Sequence, residues 1–163
     1  MGLAGDCVDS GDAVRVRIAR RHPAAIMPCV MQAGDVAADL FACEAGLVPR
    51  RGRALIATGW ALELPVGFRG RIHSRSGLSL RDGIEAGAGL IDQGFRHPLS
   101  VLLFNHSDDD FVVQPGDRIA QLCIERYTRP MFEEVEFIEP SARTAGWGST
   151  GVTAPDTRGI VSG

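Results

Sequence analysis

A chain of 163 residues with 45% hydrophobic and 23% charged side chains is long enough for one domain with a full core. Its formal net charge of −3 excludes the basic surface of a general nucleic-acid binder. No apolar run approaches the ~18 residues of a spanning helix and no signal-peptide pattern opens the chain, so an intracellular protein, cytoplasmic or nuclear and off the membrane, is expected.

Residues 1–12 are small and polar without periodicity and read as a flexible N-terminal tail. Val14, Val16 and Ile18 alternate with Arg15, Arg17 and Ala19, the pattern of a half-buried strand. Pro23 and Pro28 interrupt the next stretch, and residues 34–42 form a short extended piece with Asp39 among small and apolar neighbours. Residues 54–57 and 60–64 read as strands around Thr58-Gly59, with Trp60, Leu62 and Leu64 on one face. After the turn at Pro65-Val66-Gly67 comes Phe68 to Ile72. Leu78 to Arg81 then suits one helical turn, ended by Asp82-Gly83.

Leu99 to Phe104 is a continuous apolar run, as in a strand buried on both faces. Asp108-Asp109-Asp110 is a solvated turn, since three adjacent acids without further oxygen ligands make a poor metal site. Phe111 to Val113 and Ile119 to Glu125 read as strands joined by a turn at residues 114–117, and Glu134 to Phe137 alternates once more. Many short strands with almost no helical periodicity predict an all-β sandwich or barrel over residues 13–140. From Ser141 the chain is rich in Gly, Ser and Thr, too poor in apolar residues for a core, and residues 141–163 read as a flexible arm.

All 17 basic residues are Arg, whose planar fork suits phosphate groups. Cys7, Cys29, Cys43 and Cys123 have neither paired spacing nor metal-ligand spacing with the four His, and are expected as reduced, mostly buried thiols.

Four stretches are out of keeping with a core. In residues 86–95 a small-residue run leads to Gly89-Leu90-Ile91-Asp92 and then Phe95. Its glycines would let a planar ligand approach the backbone, and Asp92, where a strand leaves the core, would be partly desolvated and more basic. The other reading is a Gly-rich turn whose Asp caps backbone N–H groups. Arg75-Ser76-Gly77 puts a guanidinium, a hydroxyl and a backbone N–H at a helix start, either a phosphate cradle or an N-cap turn. In Gly116 to Gln121, Asp117 and Arg118 read as ion-pair partners, while Gln121 fits either role. In Arg143 to Gly151 a tryptophan stands amid glycines with no local core, so it must dock elsewhere or cover a ligand.

In this order the stretches resemble the five motifs of the trimeric dUTPase family: Ala38 to Ala42, Arg75 to Leu78, Gly89 to Arg96, Gly116 to Leu122 and Arg143 to Gly151. The resemblance implies a distorted jelly-roll-like β-barrel subunit in a homotrimer. The C-terminal arm of one chain would close a site built by the other two. It implies hydrolysis of dUTP to dUMP and pyrophosphate, keeping uracil out of DNA and supplying dUMP. Asp92 would activate a water for attack on the α-phosphate. Arg75, Ser76, Gly77 and Gln121 would hold the phosphate chain, with Arg143, Ser149 and Thr150 on the γ-phosphate. Gly87, Gly89, Leu90 and Ile91 would recognise uracil through their backbone, Phe95 would pack on the deoxyribose and Trp147 would cover the base. Mg2+ would sit on the triphosphate oxygens, with Asp39 contributing through water. No direct nucleic-acid or membrane partner is implied.

The chain departs from the family at Phe95, where Tyr is usual; at Gly94, usually acidic; and at His97, usually Gly. Trp147 stands for the usual Phe, and Ala37-Ala38 lacks the customary Gly. None of these removes the base or the phosphate-binding groups. Residues 91–95 also resemble a segment of dCTP deaminases, one alternative; a weakly catalytic dUTP-binding regulatory trimer is the other.

Overall fold

In the computed structural model, which describes residues 13–140, the chain is mostly strand with one short helix. The strands are β1 (Arg17–Arg20), β2 (Ala38–Phe41), β3 (Gly46–Val48), β4 (Arg53–Glu63), β5 (Phe68–His73), β6 (Ile84–Gly87), β7 (Leu90–Ile91), β8 (Pro98–Asn105), β9 (Phe111–Val113) and β10 (Arg118–Arg126), with α1 (Ser76–Asp82) after β5. They form two four-stranded sheets, β1-β4-β8-β6 and β2-β10-β5-β7, and a ribbon, β3-β9. All pairings are antiparallel. The all-β, jelly-roll-like expectation holds, but among the described residues the sheets stay separate and no closed barrel forms.

Inward residues of both sheets and the ribbon share one core, including Leu40, Val48, Ile56, Ile72, Ile84, Val101, Leu103, Val113 and Ile119. Fully burying such a side chain contributes about 1.5–3 kcal/mol. Trp60 does not join this core with Leu62. It packs with Ala25 and Cys43 in a second small cluster, its indole N–H donating to the Ile26 carbonyl at 2.8 Å. The two expected strands around Thr58-Gly59 are one long strand, β4, whose register against β8 shifts between Ala57 and Trp60. Gly59 takes φ +75° there, and the buried Thr58 hydroxyl donates to the Leu99 carbonyl at 2.7 Å.

Three further expectations change. β1 begins at Arg17 rather than Val14, because only residues 17–20 find partners, on the end of β4. β8 alternates instead of being buried on both faces: Leu99, Val101 and Leu103 point into the core, while Leu102 and Phe104 are half-buried on the outer side. Residues 129–140 contain no strand and are exposed. The alternation around Val135 and Phe137 therefore does not form a strand among the described residues. Contacts divide the chain into Met1–Thr128 and Arg129–Gly163. Of the thiols, Cys43 is buried while Cys29 and Cys123 are half-buried; Cys7 lies outside the described residues. No helix among the described residues is long and apolar enough to cross a membrane.

Candidate active site

Asp39, on β2, is only 3% exposed and is flanked by two arginines. Arg75 Nε donates to Oδ1 at 3.3 Å and Arg118 Nη1 donates to Oδ2 at 3.2 Å. Arg75 Nη1 also donates to the Arg118 carbonyl at 3.2 Å, tying the start of α1 to the start of β10. The sheet makes this meeting possible: β10 runs between β2 and β5, with Gln121 opposite both Asp39 and His73. A buried carboxylate is costly unless paired, and here both oxygens are taken. The ion pair expected for Arg118 is present with Asp39; Asp117 instead accepts the Gln114 N–H at 2.8 Å within its turn.

Arg75 is the N-cap residue of α1, in extended conformation and without a side-chain cap hydrogen bond. Ser76, exposed, and Gly77 therefore open the helix with first-turn N–H groups that no capping side chain covers. Gly83 closes α1 in the left-handed region at φ 65°. Ser74, just before Arg75, accepts the Ala86 N–H at 2.9 Å and so anchors this segment to β6.

The Gly-rich stretch is not a closed hairpin. β6 pairs with β8 in one sheet and β7 pairs with β5 in the other, so residues 92–97 cross between sheets. Its glycines serve packing first. A Cβ on Gly89 would lie 2.4 Å from the Ile72 carbonyl oxygen, and one on Gly87 would lie 2.3 Å from the Phe104 ring. Between them Ala88 holds φ +49°, a strained value for a residue with a Cβ. An open groove of about 470 Å3 runs between this turn and Arg69, Arg71 and His73 of β5. Leu90 is exposed beside it and Ile91 is buried in the core.

Asp92 is exposed at the end of β7, not partly desolvated as expected. Phe95 is half-buried against the core and meets His97 edge-on at 5.8 Å between ring centroids. The crossing segment is held by residues the sequence did not single out. Gln93 Oε1 accepts the Gly67 N–H at 3.2 Å and the Tyr127 hydroxyl at 2.9 Å. Arg96 Nη1 donates to the Gln93 and Phe95 carbonyls at 2.7 and 2.8 Å. A Gln inside a turn signals only the turn, and its partners are distant in sequence.

The structure brings Asp39, Arg75, Arg118 and Gln121 together, but it does not bring Asp92 to them. Ile91 pairs with Gly70 and Asp39 is aligned through Gln121 with His73. Asp92 therefore lies three strand spacings across the sheet and about four residues along it from Asp39, on the order of 20 Å away. Arg143, Trp147, Ser149 and Thr150 lie outside the described residues.

A family model described as dUTPase matches residues 24–151. The chain is 44% identical to the deoxyuridine 5'-triphosphate nucleotidohydrolase of Oryza sativa subsp. japonica, over 78% of this chain and 75% of that one. To the probable enzyme of the same name from Schizosaccharomyces pombe it is 46% identical, over 78% and 92%. In structure it resembles the Staphylococcus bacteriophage 80alpha dUTPase with dUPNHPP, with TM-score 0.78 and 25% identity over 86% of this chain and all of that one. A phage phi11 dUTPase mutant, in which a structural Mg(II) ion is coordinated, shares the fold at TM-score 0.71 and 23% identity, over 78% and 100%.

Proposed function

The chain belongs to the dUTPase family, and from that premise we propose that it hydrolyses dUTP to dUMP and pyrophosphate at sites shared between the subunits of a homotrimer. One observation carries the shared site: Asp92 and the Asp39–Arg75–Arg118 cluster stand at opposite corners of one sheet, so one chain does not bring them to a single nucleotide. A second copy supplies what the first lacks. The exposed Met131, Phe132, Phe137 and Ile138 support assembly, since a run of large apolar side chains in water marks a contact surface.

In this reading the nucleotide lies with its triphosphate over Arg75, Ser76 and Gly77 of one subunit, where guanidinium and N–H groups meet phosphate oxygens, and Gln121 adds an amide. Asp92 of a neighbour holds a water against the α-phosphorus and takes its proton as the oxygen attacks. The bond from the α-phosphorus to the bridging oxygen breaks, and pyrophosphate leaves. Little covalent chemistry is asked of the protein; position and charge do the work. Backbone groups of Gly87, Gly89, Leu90 and Ile91 read the uracil, and Phe95 packs on the sugar. A methyl group alone separates substrates by only about 10–200-fold in a soft pocket. The packed backbone at Gly89, with no room even for a Cβ, supplies a stiffer wall against thymine. Arg143, Ser149 and Thr150 of the arm close on the γ-phosphate, with Trp147 over the base.

The residues fit Mg2+ as a substrate-borne ion. Both Asp39 oxygens are engaged by arginines, which supports a carboxylate that would orient metal-bound water rather than bind directly. When bound, Mg2+ would offset the triphosphate charge.

The decisive assay incubates the full-length protein and Mg2+ with dUTP, UTP, dTTP and dCTP. Pyrophosphate released from dUTP alone is the expected result. Ammonia from dCTP would instead indicate a deaminase, and dUTP turnover no faster than that of Asp92→Asn a binding protein.

A further inference from the structure

The outer side of the β2-β10-β5-β7 sheet carries a second set of donors, which the nucleotide chemistry above does not use. Cys123 and Glu125 stand two residues apart on β10 and so project from the same face. The register sets His73 opposite Gln121 and Cys123 opposite Arg71, which makes His73 and Cys123 diagonal neighbours across β5 and β10. One imidazole nitrogen, the Cys123 sulfur and one Glu125 carboxylate oxygen all lie within 4.8 Å of one another. A tetrahedral ion with bonds of about 2.0–2.3 Å needs its donors roughly 3.3–3.8 Å apart. Closing that gap takes about an ångström of side-chain rotation, in residues that are exposed (His73) or half-buried (Cys123, Glu125).

We propose that His73, Cys123 and Glu125 form a transition-metal site of the zinc type, with three protein ligands and a fourth position open to water. The donor set decides the metal. Mg2+ and Ca2+ require oxygen ligands, whereas an imidazole, a thiolate and a carboxylate together suit Zn2+ and Co2+. The surroundings point the same way. Arg69 contacts Glu125 Oε2 through Nε and Nη2, each at 3.1 Å, which holds the carboxylate in place as an outer partner of a ligand does. With Arg69 and Arg71 nearby, a cation held by electrostatic field alone is disfavoured, so directional N and S bonds must carry the affinity.

The thiolate and carboxylate charges match those of a divalent ion. Burial, and then the Glu125 charge, push the Cys123 thiol up, against the opposing effect of Arg71; coordination displaces that proton. His73 lies two residues before Arg75 and opposite Gln121, so an ion here clamps β5 to β10 beside the phosphate-binding segment. The three donors adjoin the groove that the turn at residues 87–90 lines, but none has a role in the proposed hydrolase reaction.

The test uses the full-length protein, freed of metal by a chelator and titrated with Co2+ and then Zn2+. The expected result is a thiolate-to-Co2+ charge-transfer band that saturates at one ion per chain, is displaced by Zn2+, and is absent from Cys123→Ser. His73→Gln should weaken Zn2+ binding by at least ~10-fold, since loss even of an outer partner of a ligand costs about that much. Circular dichroism of the metal-free variants checks that they fold; Glu125→Gln serves for His73→Gln if the latter does not. No band in the wild-type protein, a band that survives in Cys123→Ser, or Zn2+ affinity unchanged in the folded His73→Gln or Glu125→Gln variant would overturn the assignment.

Discussion

Asp39 accepts the Nε–H of Arg75 at 3.3 Å from a position where 3% of the residue is exposed, and so joins a buried charge on β2 to the residue that opens α1. Arg118 closes the other side of the same carboxylate. Asp39→Asn keeps the shape but removes the charge that both guanidiniums face. Because the arginine side chains are partly hydrated, at 21% and 45% exposure, the loss is moderate. A destabilisation of about 1–3 kcal/mol is expected in urea unfolding, together with a raised KM for dUTP as Arg75 loses its anchor. Equal stability and equal KM would show that the two arginines are held by something else.

Asp92 has a different role, and its substitution should separate binding from chemistry. It is exposed, and its main-chain carbonyl accepts the Phe95 N–H at 3.0 Å, a bond that Asn also makes. Asp92→Asn should therefore leave the fold and nucleotide affinity near wild type. Its kcat should fall by roughly 10²–10⁴, the usual worth of a placed base. Calorimetric titration with a non-hydrolysable dUTP analogue, beside steady-state kinetics, reads both quantities. A large loss of affinity with little change in kcat would move Asp92 from catalysis to binding.

How far the sequence could be read follows from the reach of each signal. Local periodicity located β5, β9 and β10, and Gly83 marked the end of α1, because turns and alternation act within a few residues. It failed where pairing decides. Val14 and Val16 alternate as well as Ile18 does, but β4 offers partners only to residues 17–20. Val135 and Phe137 alternate too, yet form no strand among the described residues, since alternation alone does not supply a pairing partner. In the candidate site the motif residues were visible as small or polar breaks in apolar runs. Gln93 was not, because its value lies in reaching Gly67 and Tyr127, which no spacing rule connects. The glycines carry a second role that no local pattern shows: Gly87 and Gly89 clear Phe104 and the Ile72 carbonyl.

Ala88 offers a test of that turn. A Cβ at φ +49° costs on the order of 1 kcal/mol relative to glycine. Ala88→Gly removes this strain but also loosens the unfolded chain by about 0.4–1 kcal/mol, so a small net gain of at most about 0.5 kcal/mol in unfolding free energy is expected. Gly89→Ala should do the reverse and more. Its new methyl would meet the Ile72 oxygen at 2.4 Å, which prises β7 from β5 and moves Leu90 and Ile91. Chemical denaturation of both variants, with KM for dUTP measured alongside, checks the pair. Gly89→Ala with wild-type stability would show that the two strands are not held as close as the structure has them.

The separation of Asp92 from Arg75 makes a sharper prediction about assembly. If each site takes Arg75 from one subunit and Asp92 from another, Arg75→Gln and Asp92→Asn homotrimers are each inactive in all three sites. Co-expressed in equal amounts, the two variants mix. A site then works whenever its Arg75 donor is an Asp92→Asn chain and its Asp92 donor is an Arg75→Gln chain. Random mixing satisfies both conditions in about one quarter of sites, so roughly a quarter of wild-type kcat returns. Sites built within single chains would return none, because every chain carries a lesion. Chains differing in an affinity tag allow mixed trimers, in which about one third of the sites work, to be isolated and their turnover per chain compared with each parent. Recovery well above the parents requires a site that spans subunits; mixed trimers as inactive as their parents would require that a single chain bring Asp92 to Arg75 across the sheet.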